Sequence, residues 1–361
     1  MTLSKNRKAI LLFASALALT LPACNRADHG TEQAAAKGSE LGIVPASMDR
    51  SVQPGDDFFT FANGAWVKNT QIPEDRSGVG GFYIADQERE QNTRQLLDKL
   101  LKSNAAADSN EGKIANYYRA YLDTDAIERA GIAPAKADLD GIARIADKRQ
   151  LSAAIGSTLR ADTDPLNSTN FQTENLFGVF VSQGLTTPGE QLPYLMQGGI
   201  GMPEREYYLS SDGKMGELRG KYRDYVQQIF QLAGRQDAAA AAQRVMDLET
   251  KIAGAHATRE ESEDFAKGAQ VWSRADLEKR APGIDWGALL GAAQLNGAQK
   301  FQAYHATAIP KLAALVGSEP LDAWKDWLAF HTLNQQANVL PKAFLMFSTM
   351  DWTSALADAG K

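Results

Sequence analysis

The chain has 361 residues, of which 44% are hydrophobic and 23% charged, and this balance suits one large globular domain or two modest ones. The net charge of -6 comes from 38 basic and 44 acidic residues dispersed along the chain, so the basic stripe that nucleic acid needs is missing and nucleic acid is excluded as a partner. A single cysteine, Cys24, excludes an intramolecular disulfide.

The amino terminus has the pattern of an export signal. Basic residues precede an apolar run over residues 9–21, and this run ends just before Cys24. Such an order is typical of a secretory signal peptide, and the run is too short for a membrane-spanning helix. We therefore predict that residues 1–23 are removed on export.

Cys24 resembles the lipidated cysteine of a bacterial lipobox. The resemblance implies cleavage before Cys24, which makes residues 1–23 a lipoprotein signal peptide, and lipidation of the thiol. A lipid anchor would hold a soluble domain at a membrane without spanning it. Asn25 rather than Asp follows the cysteine, which by resemblance to lipoprotein sorting signals implies the outer membrane of the cell envelope.

Residues 24–45 are polar, rich in alanine and interrupted by glycine, which predicts a flexible tether. The folded part is then expected over residues 46–361. It begins with the densest run of aromatic and turn residues in the chain, from Asp49 to Tyr83. We predict here a short helix from Asp56 to Asn63, a turn at Asn63-Gly64 and an extended crossing through Ile72-Pro73.

Apolar residues at helical spacing dominate the rest of the chain. We predict helices over residues 86–102, 111–123, 134–146, 150–160, 221–233, 238–257, 273–279 and 321–340. In the second of these, Tyr117, Tyr118 and Tyr121 share one face with Ile114 and Leu122. We interpret this tyrosine stripe as a core face with its hydroxyls at the rim, and a binding face is the alternative.

One stretch breaks the helical pattern. Apolar residues alternate around Val179 and again around Tyr194, and Thr187-Pro188-Gly189 separates the two runs. This pattern predicts a β-hairpin. The expected fold class is therefore mainly α, a large multi-helix domain with one small β-hairpin.

The histidines carry little sign of chemistry. There are four, and no His-Glu-x-x-His motif joins any of them, while catalytic zinc usually needs three protein ligands. We assign no catalytic residue and no metal ligand in this chain, and the substrate-binding residues stay unknown. His29 lies in the predicted tether, and His305 has no partner that the sequence identifies.

Two histidines have a local context. His256 precedes Glu260, Glu261, Glu263 and Asp264, which makes it the best local candidate for a metal ligand, although a solvated acidic helix end is the favoured interpretation. His331 lies on the apolar side of a predicted helix, which favours a packed or hydrogen-bonded core histidine.

Four stretches in order resemble the neprilysin/endothelin-converting-enzyme family of zinc metallopeptidases, between about Asp49 and Phe344. They are the run with Asp57-Phe58, Ala62-Asn63-Gly64-x-Trp66 and Ile72-Pro73; the loop Gly199-Ile-Gly-Met-Pro203-Glu-Arg-Glu-Tyr207-Tyr208-Leu209; the helix segment Leu248-Glu249-x-x-Ile252-Ala253; and the turn Pro282-Gly-Ile-Asp-Trp286.

The resemblance implies that residues 46–361 are the mostly helical N-terminal domain of such a peptidase. In the family this domain covers a zinc catalytic domain and helps to enclose a chamber for small peptides. The zinc ligands come later in the family's chain, so we expect no zinc here and no peptide hydrolysis by this chain alone. The place of a substrate-anchoring arginine of the family is Gly78, with Arg76 two residues earlier, and that role is not transferred.

Three hypotheses follow for the chain. In the first, the chain is a fragment of a peptidase, since residues 346–361 depart from the family's pattern. In the second, it is a stand-alone, non-catalytic peptide- or protein-binding lipoprotein of the cell envelope. In the third, it is a domain whose zinc-binding half is encoded separately. A frameshift and a deliberate split would leave the same sequence.

Overall fold

A computed structural model describes residues 42–73, 78–159 and 173–348. Cys24, the predicted signal peptide, nearly all of the predicted tether, Arg76 and the chain after residue 348 lie outside the described residues. The described residues divide into two compact units, with the boundary between Leu96 and Leu97. Among the described residues, no helix combines the length and the apolar character that a membrane crossing needs.

The first unit contains helix α1 (Phe58–Asn69) and most of helix α2 (Gly81–Lys102). Asp57 caps α1, because its carboxylate accepts a hydrogen bond from the Thr60 backbone N–H at 2.9 Å, so the predicted helix start is confirmed. The predicted turn at Asn63-Gly64 is wrong, since α1 runs through both residues.

Gly64 serves close packing rather than a turn. It is buried, and a Cβ at this position would lie 2.7 Å from Asp49 Cβ. The segment at Asp49 crosses α1 here, where its backbone N–H donates to Phe61 O and its carboxylate accepts from Lys68 Nζ at 2.6 Å. The glycine therefore lets an incoming segment approach the helix backbone.

The second unit holds the remaining elements. Its helices are α3 (Asn110–Leu122), α4 (Thr124–Ala130), α5 (Ala133–Ala143), α6 (Lys148–Ser157), α7 (Glu206–Leu209), α8 (Gly213–Leu232), α9 (Ala238–Ala255), α10 (Arg259–Glu263), α11 (Phe265–Gly268), α12 (Arg274–Arg280), α13 (Trp286–Ala292), α14 (Ile309–Ser318), α15 (Leu321–Gln336) and α16 (Lys342–Ser348). Its strands are β1 (Phe177–Gln183), β2 (Gln191–Gln197), β3 (Val271–Ser273) and β4 (Lys300–Ala303). The mainly α fold class is confirmed.

The sheet extends beyond the predicted hairpin. Strands β1 and β2 form that hairpin, with Phe177 opposite Gln197 and Gln183 opposite Gln191. Strand β4 then pairs with β2 in parallel and with β3 in antiparallel orientation, in the order β1-β2-β4-β3. Strands β3 and β4 have only three and four residues, too few for a periodic signal in the sequence.

The core of the second unit lies where helices α8, α9 and α15 pack together. Its largest fully buried side chains include Tyr222, Trp324, Trp327 and Phe330. Phe330 meets Tyr222 edge to face, with ring centroids 6.0 Å apart. This contact joins α15 to α8, and α9 packs against both helices.

The tyrosine stripe on α3 does not face the core, so that interpretation is wrong. Tyr117 is 77% exposed and Tyr121 is also exposed, while the buried residues of α3 are Gly112 and Ala115. A Cβ on Gly112 would overlap the carbonyl of Ala106. The face with the smallest side chains is turned inward because the preceding segment crosses it closely.

Two glycines allow a matched test of the packing. A Cβ on Gly156 in α6 would overlap the backbone carbonyl of Leu289 in α13, whereas Gly254 in α9 has open space around it. We expect Gly156→Ala to lower the free energy of unfolding by about 2 kcal/mol or more, because the two helices must move apart. Gly254→Ala should raise it by about 0.5–1 kcal/mol through helix propensity. Chemical denaturation of both variants measures this, and equal effects would contradict the close helix crossing.

Candidate functional site

His331 lies at the centre of a buried polar network. Helix α15 places its ring between two carboxylates, with Nδ1 3.1 Å from Glu174 and Nε2 2.9 Å from Glu249. Burial alone would lower the pKa of His331, but the hydrogen bonds and charges of Glu174 and Glu249 outweigh burial and raise the pKa to about 9. Both ring nitrogens therefore donate, and the prediction of a hydrogen-bonded core histidine is confirmed.

Glu249 of α9 is fully buried and accepts further hydrogen bonds. Tyr208 Oη lies 2.6 Å and Tyr222 Oη 3.1 Å from its carboxylate oxygens. Burial, followed by the neighbouring charge of Glu249, raises the pKa of both tyrosines well above 10, so both keep their protons. The carboxylate thus has three side-chain donors around it, which a buried charge requires.

This network fixes the glycine loop over residues 199–202. The Gly201 and Met202 backbone N–H groups donate to Tyr208 Oη at 3.1 and 2.9 Å, and Trp327 Nε1 donates to Gly199 O at 3.1 Å. A Cβ on Gly201 would overlap the Tyr222 hydroxyl. Two of the sequence motifs, the glycine loop and the segment around Glu249, therefore meet through hydrogen bonds at one point.

A cleft of about 520 Å³ lies beside the glycine loop. It is lined by Gln197, Gly198, Arg205, His256, Tyr304 and His305, with Phe265 and Arg259 among its outer residues. We call it the histidine cleft. Four stretches form it: Thr173 before β1, the end of β2 with the loop that follows, the segment from the end of α9 to the start of α11, and the residues directly after β4.

The two histidines of the cleft are neutral. His256 Nε2 lies 2.9 Å from Gly198 O, and the Gln197 backbone N–H donates to His305 Nδ1 at 3.1 Å. Burial lowers the pKa of each ring to about 4, assisted by the charge of Arg205 at His256 and by His256 itself at His305. At neutral pH each ring therefore has one N–H and one lone-pair nitrogen.

The structure does not bring His256 and its acidic neighbours together as a metal site. Helix α9 ends at Ala255, and His256 has extended backbone angles (φ -61°, ψ 145°), so the spacing of four residues does not place His256 and Glu260 on one helical face. Glu261 bonds the Thr258 backbone N–H, and Glu263 pairs with Arg259. Within residues 42–73, 78–159 and 173–348, no group of three or more His, Cys, Asp or Glu side chains is arranged to hold a metal.

Two functional features escaped prediction from the sequence. His305 follows β4, a strand too short to be recognised. Arg205 is half-buried against the end of α9, where its Nε donates to Ala253 O at 3.2 Å. The resemblance of the loop over residues 199–209 to the family marked Arg205 only as a motif residue. Gly78 is exposed in the first unit.

Comparison with known proteins identifies the family. The N-terminal model of "Peptidase family M13" matches residues 54–352, most of the chain. The chain belongs to peptidase family M13. The resemblance to neprilysin and endothelin-converting enzymes is thereby confirmed, and the described residues form an M13 N-terminal domain.

Relatives within M13 match this chain with only part of their own length. Endothelin-converting enzyme 1 of Rattus norvegicus is 24% identical over 305 residues, which are 82% of this chain and 39% of that protein. Endothelin-converting enzyme-like 1 of Mus musculus is 25% identical over 264 residues, 69% of this chain and 32% of that protein. The chain therefore spans well under half the length of these relatives.

Solved structures give the same picture. The zinc metalloprotease Zmp1 of Mycobacterium tuberculosis, in complex with an inhibitor, superposes with a TM-score of 0.71 and 27% identity over 85% of this chain and 46% of that chain. PepO of Lactobacillus rhamnosis shares the fold, with a TM-score of 0.60 and 17% identity over 82% of this chain and 46% of that chain.

The charge of His331 predicts a pH-dependent stability. Its folded pKa of about 9 lies above the ordinary 6.5, so protonation stabilises the fold fully below pH 6.5, and this stabilisation is lost as pH rises through 9. We expect the free energy of unfolding to fall on the order of 3 kcal/mol across this window. Denaturant titrations at several pH values measure it.

His331→Gln is the control, because glutamine does not titrate. This variant should be about 3–5 kcal/mol less stable at pH 7, since the buried Glu249 loses its countercharge. Its stability should depend little on pH between 7 and 9.5. A wild-type chain with the same flat profile as the variant would show that His331 is neutral in the fold.

Proposed function

We propose that this chain is the substrate-enclosing N-terminal domain of a neprilysin-like zinc metalloendopeptidase that acts on small peptides, and that alone it does not hydrolyse them. The observation that supports this most is the match to M13 over residues 54–352, combined with coverage of only 46% of the Zmp1 chain. Zmp1 is a zinc metalloprotease, and the first relatives are named for converting endothelin.

The described residues do not fit a zinc site. His331 uses both ring nitrogens for Glu174 and Glu249, while His256 and His305 each use one nitrogen for the backbone. Zinc supplies an activated water to peptidases of this kind, and its ligands would have to come from outside the described residues. The contribution that we assign to this chain is therefore enclosure and binding of the peptide.

Exposed apolar side chains support the proposal that this domain packs against a second domain. In the first unit Phe58, Phe59 and Phe82 are exposed, and in the second unit Tyr117 and Tyr121 are exposed on α3. A contiguous exposed apolar patch marks a surface that binds another domain or protein, and Phe58 and Phe59 are adjacent on α1. We propose that the catalytic half of an M13 peptidase covers these side chains, either as part of the same chain or as a separately encoded chain.

A stand-alone peptide- or protein-binding lipoprotein is the second candidate. The saturated network around Glu249 and the continuous core of the second unit favour a domain that folds without a partner. Size-exclusion chromatography with a thermal melt separates the candidates. A monodisperse chain with a cooperative melt supports the stand-alone module, and an aggregating chain that a catalytic half rescues supports the domain of a peptidase.

The absence of hydrolysis is directly testable. We expect the purified chain to leave short peptides intact, with or without added zinc, whereas an M13 peptidase in the same assay should cleave them. The measurement is mass spectrometry of the peptide after incubation. Cleavage that EDTA abolishes and zinc restores would refute the proposal.

We further propose that the chain is exported and anchored at the outer membrane through Cys24. Wild-type chain should fractionate with the outer membrane, and Cys24→Ser should lose this association because the thiol that carries the lipid is gone. Asn25→Asp is the matched control, since it should keep the lipid and move the chain to the inner membrane. Equal fractionation of wild type and Cys24→Ser would refute the anchor.

A further inference from the structure

The histidine cleft contains two buried side chains with hydrogen-bonding capacity left over. His256 is 7% and His305 4% exposed, and each ring has one nitrogen bonded to the protein backbone. Among the described residues, the second nitrogen of each ring has no partner. Both rings line the histidine cleft, so an occupant of the cleft lies next to them. Leaving such atoms unpaired costs about 1–3 kcal/mol each once water is displaced, so an occupant must bond them.

The bonded nitrogens determine what the second ones offer. A carbonyl only accepts, so His256 Nε2 donates to Gly198 O and leaves a lone pair on Nδ1. A backbone N–H only donates, so His305 Nδ1 accepts from Gln197 and leaves the proton on Nε2. The cleft therefore presents one acceptor, His256 Nδ1, and one donor, His305 Nε2–H.

This pair of groups disfavours two classes of ligand. A metal ion needs lone pairs, and His305 Nε2 has none in this arrangement. Glu206 at 2.9 Å and Glu263 at 3.0 Å balance the charges of Arg205 and Arg259, which weakens the attraction for an anion. The remaining fit is a neutral group with one donor and one acceptor, which is the pattern of a peptide backbone.

The outer part of the cleft suits the side chain of a peptide. The ring of Phe265, at the start of α11, lines the cleft and is 69% exposed. An apolar side chain packed on this ring would bury area that is now in water. The volume of about 520 Å³ accommodates a few residues of extended chain.

We propose that the histidine cleft binds an extended, uncharged peptide segment, with a backbone carbonyl accepting from His305 Nε2, a backbone N–H donating to His256 Nδ1 and an apolar side chain on Phe265. The inference takes its ligand class from the proposed function and adds a peptide site on this chain's own residues. Binding here needs no hydrolysis, so the two proposals fail in different experiments.

The experiment titrates the full chain with N-acetyl-Ala-Ala-Phe-Ala-Ala-amide, which has no charged end. Isothermal titration calorimetry gives the affinity, and long-range ¹H–¹⁵N NMR of the imidazoles reports on His256 and His305 in the wild-type chain. We expect saturable binding that shifts both imidazole signals and is insensitive to phosphate. Absence of binding at millimolar peptide would overturn the inference while leaving the hydrolysis assay unaffected.

Two conservative variants separate ligand binding from folding. His256→Gln keeps a donor for Gly198 O but lacks the Nδ1 acceptor, and His305→Asn keeps an acceptor for the Gln197 N–H but lacks the Nε2 donor. Each should weaken binding about tenfold, the effect of one hydrogen bond, without changing the thermal melt. If a variant unfolds, the imidazole shifts of the wild type decide the question.

A control variant locates the site. Tyr117→Ala removes an exposed ring on α3, and we expect it to bind the peptide like the wild type. Loss of binding in Tyr117→Ala, with both histidine variants unchanged, would move the site to α3 and overturn the inference. Tight zinc binding by the wild type that either histidine variant abolishes would also overturn it.

Discussion

The second unit depends on one buried charge, the carboxylate of Glu249. A carboxylate taken out of water costs several kcal/mol unless partners surround it. His331 supplies the countercharge at 2.9 Å, and Tyr208 and Tyr222 supply hydroxyl donors. These partners come from α15, α7 and α8, so the need to satisfy one charge joins four helices and positions the glycine loop through Tyr208.

The same side-chain type takes opposite protonation states within this unit. His331 lies between two carboxylates and is charged, while His256 and His305 face backbone groups and are neutral. Burial is shared by all three, so the difference comes from the neighbouring groups. The charged His331 stabilises the buried carboxylates of the core. The neutral His256 and His305 each present one hydrogen-bond donor or acceptor to the adjacent cleft.

The two features are joined by the loop between β2 and α7. Gly199 and Gly201 are fixed by Trp327 and Tyr208, and the preceding residue Gly198 accepts from His256 in the cleft. A rigid core therefore sets the position of one wall of the cleft. This coupling explains physically why the glycine loop and the Leu-Glu helix segment occur together as motifs: they are two sides of the same hydrogen-bonded network.

Helical periodicity in the sequence determined the type of the long helices and most of their bounds, although α8 begins at Gly213 and not at the predicted residue 221. Turn residues between alternating runs determined the β1–β2 hairpin. Motif order determined the family. The orientation of α3 depended on the tertiary structure, because the approach of Ala106 to Gly112 turned the small residues inward and left the tyrosines in solvent. Asn63-Gly64 was predicted to be a turn because the real reason for the glycine, the close approach of Asp49, is a tertiary contact that the local sequence does not show. The site was likewise decided only by folding. Burial keeps His256 and His305 neutral, and Gly198 and Gln197, which lie far away in the chain, decide which ring nitrogen carries the proton.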